Sequence, residues 1–313
     1  MKKAMSLAAA ILAFAAWTPA GPALADGTTI VEGIGDQWQS LDPQYSSASK
    51  DAQILGDLYE GLVGLDAAGK PIPGAAASWD ISADGLTYTF HLRDGLKWSN
   101  GDPLVAQDFV NGAERQLNAD TASYKAYYLY TQLPLTNAAD YNAKKLTDFS
   151  KVGISAPDPK TVVMHLDAPN PYALQLLNYY YISPLHKPSL DAYGADFVSA
   201  AHFVGNGAYV LKELSPNSHA LLVKNPNYWD AANVHVDAIK YLVTEDTNTE
   251  FKQFKAGQVD ITWDVPTDQL DAIKKQFGDQ LHIAPYAETD HISFNTQKAP
   301  LTQGRWTRSS APY

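Results

Sequence analysis

Between residues 86 and 92 the chain alternates strictly. Leu86, Tyr88, Phe90 and Leu92 are apolar, while Thr87, Thr89 and His91 between them are polar. A period of two predicts a strand with one buried and one solvated face. The pair Asp84-Gly85 precedes it, so residues 78–92 (SWDISADGLTYTFHL) read as a hairpin. A second strand–turn–strand unit follows at 152–166 (VGISAPDPKTVVMHL), bent at Asp158-Pro159. Between the two the period changes. After the turn signals Asp94-Gly95 and Ser99-Asn100-Gly101-Asp102-Pro103, apolar residues recur every fourth position at Phe109, Ala113 and Leu117, which predicts a helix over 105–117.

Outside this hairpin-rich stretch the pattern is mixed. Residues 28–32 (TTIVE) read as a buried strand. Residues 49–61 (SKDAQILGDLYEG) read as a helix capped by Ser49, with Asp51 at its positive end, Ile54 and Leu58 on one face, and Gly61 as a left-handed stop. A helix over 247–257 (TNTEFKQFKAG) carries a Thr247/Glu250 capping box, Phe251 and Phe254 on one side, and Gly257 as its terminator. A strand over 259–263 (VDITW) follows. The order predicts an α/β lobe interrupted by a smaller lobe of antiparallel strands.

The first residues fall outside this scheme. Lys2 and Lys3 lead an apolar run, Ala4–Trp17, too short to span a bilayer, and Ala23-Leu24-Ala25 supplies the small residues of a cleavage site. Residues 1–25 therefore read as a cleavable signal peptide and Asp26 as the first residue of an exported product. The chain has no cysteine. This excludes disulfides, thiolate sites and lipid attachment at a signal cysteine, and makes a bacterial periplasm the expected compartment. The chain holds 23 basic and 34 acidic side chains, a net charge of −11; without Lys2 and Lys3 it becomes −13. Such a surface repels phosphate backbones and anionic lipid, so neither nucleic acid nor membrane insertion is expected.

Enzyme signatures are sparse. There is no H-E-x-x-H, no G-x-S-x-G and no G-K-S/T loop. Gly33-Ile34-Gly35 is half a dinucleotide fingerprint, but Trp38 stands where the third glycine belongs, so a tight strand exit is the better reading. The 8 histidines, at 91, 165, 186, 202, 219, 235, 282 and 291, show no helical ligand spacing, and no metal or cofactor is expected. Acid pairs such as Glu245/Asp246 and Asp264/Asp268 read as solvated charge. Two tyrosine groups stand out: Tyr124, Tyr127, Tyr128 and Tyr130, and the run Tyr179 to Tyr181. Aromatic rings with polar tips suit a wet binding cleft, and they equally suit packing of a helix onto a core.

Six ordered blocks carry a family resemblance: LDPQYSSASKDAQILGDLYEGL (41–62), IPGAAASWDISADGLTYTFHLRDGLKWSNGDPLVAQDFV (72–110), VGNGAYVLKEL (204–214), VKNPNYWD (223–230), FKAGQVDITW (254–263) and ISFNTQKAPL (292–301). The chain resembles the bacterial extracellular solute-binding proteins of family 5, and within it the peptide-binding components of ABC importers. The resemblance implies a three-lobed α/β fold of the periplasmic binding protein type (type II). Lobe I would combine 26–59 with 182–285, lobe II would be 60–181, and 286–301 would start lobe III. It implies no catalysis, an oligopeptide ligand held as an added strand by main-chain hydrogen bonds, an ABC transporter membrane permease as partner, and a monomer. Relatives that bind nickel chelates, haem or sugars leave other solutes open. An exported hydrolase, from another class, would need a nucleophile–base pair in the aromatic cleft.

Residue by residue, the resemblance places Ser47, Ser49, Tyr124, Tyr127, Tyr128 and Asn206 at the ligand. Val105 stands where many members have a helix-capping threonine, a departure expected to weaken that cap by about 1 kcal/mol. The resemblance ends at Leu301, and 302–313 (TQGRWTRSSAPY) forms a non-family tail. The expectation is a chain lacking lobe III, with peptide binding impaired, either as a short natural variant or, the favoured reading, through a frameshift: ACC CAA GGT can encode Thr-Gln-Gly, and read one base on it gives Pro-Lys-Val, which resembles the family's continuation.

Overall fold

The computed structural model describes residues 27–46, 48–178, 182–283 and Asn295. The signal segment 1–25, Ser47, Tyr179 to Tyr181, the tail 302–313 and all of 286–301 except Asn295 lie outside them. Two compact units are distinguished, one running to Pro266 and one from Thr267.

The first unit is built on two four-stranded sheets. Strand β1, Thr29–Gly33, lies at one edge of the first sheet. Helix α1, Ser49–Leu58, follows it and buries Ile54, Leu55 and Leu58. A short antiparallel pair, β2 (Val63–Leu65) and β3 (Pro71–Pro73), leads into the second sheet. There β4 (Ala76–Ile81) and β5 (Thr87–Leu92) form the predicted hairpin, with Tyr88, Phe90 and Leu92 buried and the threonines between them turned outward. The second predicted hairpin is β6 (Ile154–Asp158) and β7 (Thr161–His165). Strands β5 and β7 pair antiparallel, Phe90 opposite Val162 and Tyr88 opposite Met164, which gives the order β4-β5-β7-β6.

Helix α2, Ala106–Leu117, lies against β6 and β7 and buries Phe109, Val110, Ala113 and Leu117. The four-residue apolar spacing is thus the face that meets the sheet. Val105 is its N-cap and offers no acceptor. Only the reciprocal half of a capping box forms, with the Asp108 carboxylate accepting from the Val105 N–H at 3.0 Å.

The short helix α3 (Ala138–Asn142) lies between α2 and β6, and α4 (Ala173–Leu176) and α5 (Lys187–Tyr193) lead from β7 back to the first sheet. That sheet is completed by β8 (Tyr209–Ser215), β9 (His219–Lys224) and β10 (Ala238–Leu242) in the order β1-β10-β9-β8. Strand β1 runs parallel to β10, from Thr29 opposite Ala238 to Gly33 opposite Leu242, and the other pairs are antiparallel. The predicted strand over 259–263 makes a single parallel bridge, Ile261 beside Glu32.

Three local expectations are corrected. Ser49 does not cap α1; it is the first helical residue, and Ala48 occupies the cap without a side-chain bond. The Asp51 carboxylate instead accepts from Gln39 N (2.7 Å), Ser40 N (3.2 Å) and Ser46 Oγ (2.6 Å), pinning the preceding loop to the helix. Gly61 is no left-handed stop, since α1 ends at Leu58 with Tyr59 extended. A Cβ at Gly61 would lie 2.7 Å from the Leu177 carbonyl oxygen, so close approach of two backbones is what selects glycine there. Helix α6, Thr247–Lys255, is capped by Asp246, whose side chain accepts from Thr249 N at 2.8 Å, rather than by Thr247. Gly257 does end that helix at φ +70°.

In the second unit, α7 (Leu270–Phe277) buries Ile273 and ends at Gly278. Among the described residues no helix is long and apolar enough to cross a membrane.

Candidate ligand site

In open α/β sheets ligands bind beyond the carboxyl ends of parallel strands. Here those ends belong to β1 and β10. The turn after β1 is fixed on both sides: Thr244 N donates to the Gly35 carbonyl at 2.9 Å, and Gly35 N donates to Glu250 Oε2 at 3.1 Å. Glu250 is buried, and its other oxygen accepts from Trp263 N at 2.7 Å. One carboxylate from α6 therefore ties the exit of β1 to residues 261–263. The sequence presents Glu250 as half of a capping box; its acceptors are instead claimed by backbone donors outside the helix, Gly35 N and Trp263 N.

A group of acids lies behind this edge. Burial, then the neighbouring Asp57 and Glu250 charges, push the Glu32 carboxyl up from 4.5 to about 7. Burial raises Asp57 to about 6, against a hydrogen bond from Tyr241 Oη at 2.6 Å that favours its charge. Gln53 Nε2 donates to Glu32.

The loop after β1 is fastened to α2. Arg115 donates from two nitrogens to both Asp42 carboxylate oxygens, at 2.6 and 2.5 Å, and also to Gln44 Oε1 at 2.8 Å. Gln116, the next residue, donates to the Lys125 carbonyl at 3.2 Å. Two segments singled out by the sequence, 41–49 and 124–128, are thus held by adjacent residues at one end of one helix. Ser49 and Tyr124 are exposed, Tyr124 at 74%. Tyr127 and Tyr128 are half-buried with ring centroids 4.6 Å apart, and Tyr128 opens a π-helical turn, Tyr128–Gln132. Burial and the adjacent Tyr128 push the Tyr127 hydroxyl up to about 12, so Tyr127 remains neutral. Ser47 lies outside the described residues.

Asn206 is placed differently. It is buried, and its amide brackets one residue: Glu60 N donates to its Oδ1 at 3.1 Å, and its Nδ2 donates to the Glu60 carbonyl at 2.8 Å. Around this bracket lies a network the sequence did not announce. The Glu60 carboxylate accepts from Tyr228 Oη (2.6 Å) and Trp229 Nε1 (2.8 Å), and the Arg93 guanidinium lies 3.5 Å from the Trp229 ring centroid. Burial pushes Glu60 up to about 7 despite these donors. The phrase NPNYWD was legible as a block, but its partner is 168 residues away.

A Ser–His pair exists elsewhere. His186 Nδ1 lies 2.7 Å from Ser189 Oγ and accepts from Ser189 N, while Nε2 faces Asp102 at 3.0 Å. Both residues are buried at the start of α5, where the ring caps the helix. Among the described residues no three His, Cys, Asp or Glu side chains converge as a metal site.

Residues 70–305 match the family model of bacterial extracellular solute-binding proteins, family 5 middle. The chain belongs to this family. Its members are substrate-binding proteins. The family-5 chain is 35% identical over 302 residues to the periplasmic oligopeptide-binding protein OppA of Escherichia coli K12, covering 96% of this chain and 55% of that one. It is also 35% identical over 305 residues to the probable deoxycholate-binding periplasmic protein YgiS of the same organism, covering 97% and 56%. Among solved structures, Haemophilus influenzae OppA in complex with the peptide RPPGFSPFR superimposes with a TM-score of 0.85 at 33% identity, over 90% of this chain and 54% of that one. The α/β architecture is that of OppA-type binding proteins, and the chain spans about half the length of the relatives it matches.

Proposed function

We propose that this chain is the solute-binding component of an ABC importer in the periplasm, delivering oligopeptides to a membrane permease. In this reading residues 26–59 with 182–285 form one lobe, 60–181 a second and 286–301 the start of a third. The ligand lies as an extended strand against the wall made by the 36–51 loop and the 124–128 aromatics. Backbone hydrogen bonds hold it, which makes the site tolerant of sequence, because every peptide offers the same donors and acceptors. The observation that carries the reading is the superposition on a peptide-bound relative over nine-tenths of this chain. The wall agrees with it: the exposed Tyr124 and half-buried Tyr127 and Tyr128 stand on a segment that Gln116 holds to α2, and the Arg115–Asp42 ion pair fastens the 41–46 loop to the same helix end.

Calorimetry with mixed tri- to pentapeptides is expected to give a binding heat that changes little with peptide sequence, and no heat at millimolar peptide would count against the reading. Backbone NMR shifts at millimolar peptide should map to Ser49 and to Tyr124 through Tyr128. Their absence there would count against the peptide reading itself. Turnover of a peptide by the purified protein would favour the hydrolase instead.

A further inference from the structure

Lys50 is set against the usual rule for its position. It is the second residue of α1, where the helix dipole presents positive charge and disfavours a cation. Side chains that break a local rule while being firmly held are expected at functional sites. Lys50 is firmly held. Its side chain is 19% exposed, its Nζ lies 2.8 Å from Asp36 Oδ2, and the ammonium stands 5.8 Å from the centroid of the Trp263 ring. It also passes over Gly35, where an added Cβ would lie 2.9 Å from Nζ. The two surfaces that cradle it, the Gly35 turn and Trp263, are the pair joined by the buried Glu250 carboxylate. The cation is therefore pre-organised, and its counter-ion is the looser partner: Asp36 is 70% exposed.

We infer that Lys50 and the Trp263 ring form a subsite for a carboxylate of the bound peptide, with Asp36 as the counter-ion that the ligand displaces. This rests on the peptide reading above. It adds a specificity-determining residue to a site otherwise indifferent to side chains. The Trp263 ring, 40% exposed, supplies an apolar floor for the methylenes leading to that carboxylate. The carboxylate can come from an acidic side chain or from the peptide's own terminus, and the choice of peptides separates the two.

The test titrates the full chain at millimolar peptide by NMR, using Ala-Glu-Ala, Ala-Gln-Ala and the C-terminal amide of Ala-Gln-Ala. A partly exposed ion pair predicts that the favoured carboxylate tightens binding about fivefold over its uncharged counterpart. Lys50→Met, which keeps the stem and removes the charge, should abolish that preference, and Asp36→Asn should widen it; high salt should shrink it in the wild type. A preference for the acidic tripeptide assigns the subsite to a side chain, and a preference lost on amidation assigns it to the terminus. If Lys50→Met retains the wild-type ratios across all three peptides, the subsite is refuted and the peptide reading stands. If none of the peptides shifts any resonance, the peptide reading falls and takes the subsite with it.

Discussion

Replacing Glu60 by glutamine isolates one buried charge. The carboxylate accepts from Tyr228 Oη and Trp229 Nε1, and burial raises its pKa from 4.5 to about 7. Glutamine keeps the shape; its oxygen can accept from Trp229 while its amide donates to the Tyr228 oxygen. The folded protein thus holds a proton on Glu60 between pH 4.5 and 7 that the unfolded chain has released. Stability from this group is fully present below pH 4.5 and is lost as pH rises through 7. Between pH 5 and pH 8 the loss amounts to about 2–3 kcal/mol. Glu32 and Asp57 are shifted the same way and add to the wild-type slope, so the informative quantity is the difference between wild type and Glu60→Gln. Urea unfolding at both pH values should show the variant gaining about 2–3 kcal/mol relative to wild type on going from pH 5 to pH 8. Parallel pH profiles for the two proteins would refute the assignment of a buried, proton-holding Glu60.

Three further outcomes are expected. Arg115→Ala strands the buried Asp42 carboxylate and should cost about 3 kcal/mol in urea unfolding, with the amide resonances of residues 41–46 shifting as the loop loosens. Gly207→Ala places a Cβ 2.3 Å from the Asp57 carbonyl oxygen and beside the Leu58 backbone, neither of which can yield cheaply, so a loss of at least about 3 kcal/mol or failure to accumulate folded protein is expected. Val105→Thr supplies the acceptor missing at the start of α2, where the backbone is already extended (φ −128°, ψ 165°), and should raise the urea midpoint by the equivalent of about 1 kcal/mol.

What the sequence made legible follows from the distance over which each feature is decided. The hairpin strand Thr87–Leu92 and the buried face of α2 are set by neighbours two and four residues apart, so alternation and spacing revealed them. Caps are less legible, because each depends on a helix start fixed to one residue: Ala48 and Asp246, each one position before the expected cap, occupy those places, while nearby carboxylates serve other segments. Asp51 serves the 39–46 loop, and Glu250 serves Gly35 and Trp263. The tyrosines stand out in the sequence as a group, and the structure adds that Gln116 and Arg115 tie their segment and the 41–46 loop to the same end of α2. Asn206 was singled out for the ligand, and the structure gives its amide to Glu60. Glu60, Tyr228 and Trp229 carry no local pattern. Their meaning is a contact, and a contact across 168 residues leaves no periodicity.

The Asn206–Glu60 bracket has an architectural consequence. Together with the Gly207 N–H donating to the Leu58 carbonyl at 3.0 Å, it means the polypeptide leaves the first sheet after α1 and rejoins it at the same spot. The segment between, including the whole antiparallel sheet, leaves and returns through one doorway whose two posts touch, and side-chain ties such as Arg115 to Asp42 and Asn227 to Ser99 hold it to the frame as well. Such a segment can be exchanged for another without moving the frame only if the replacement presents its ends side by side and restores those ties.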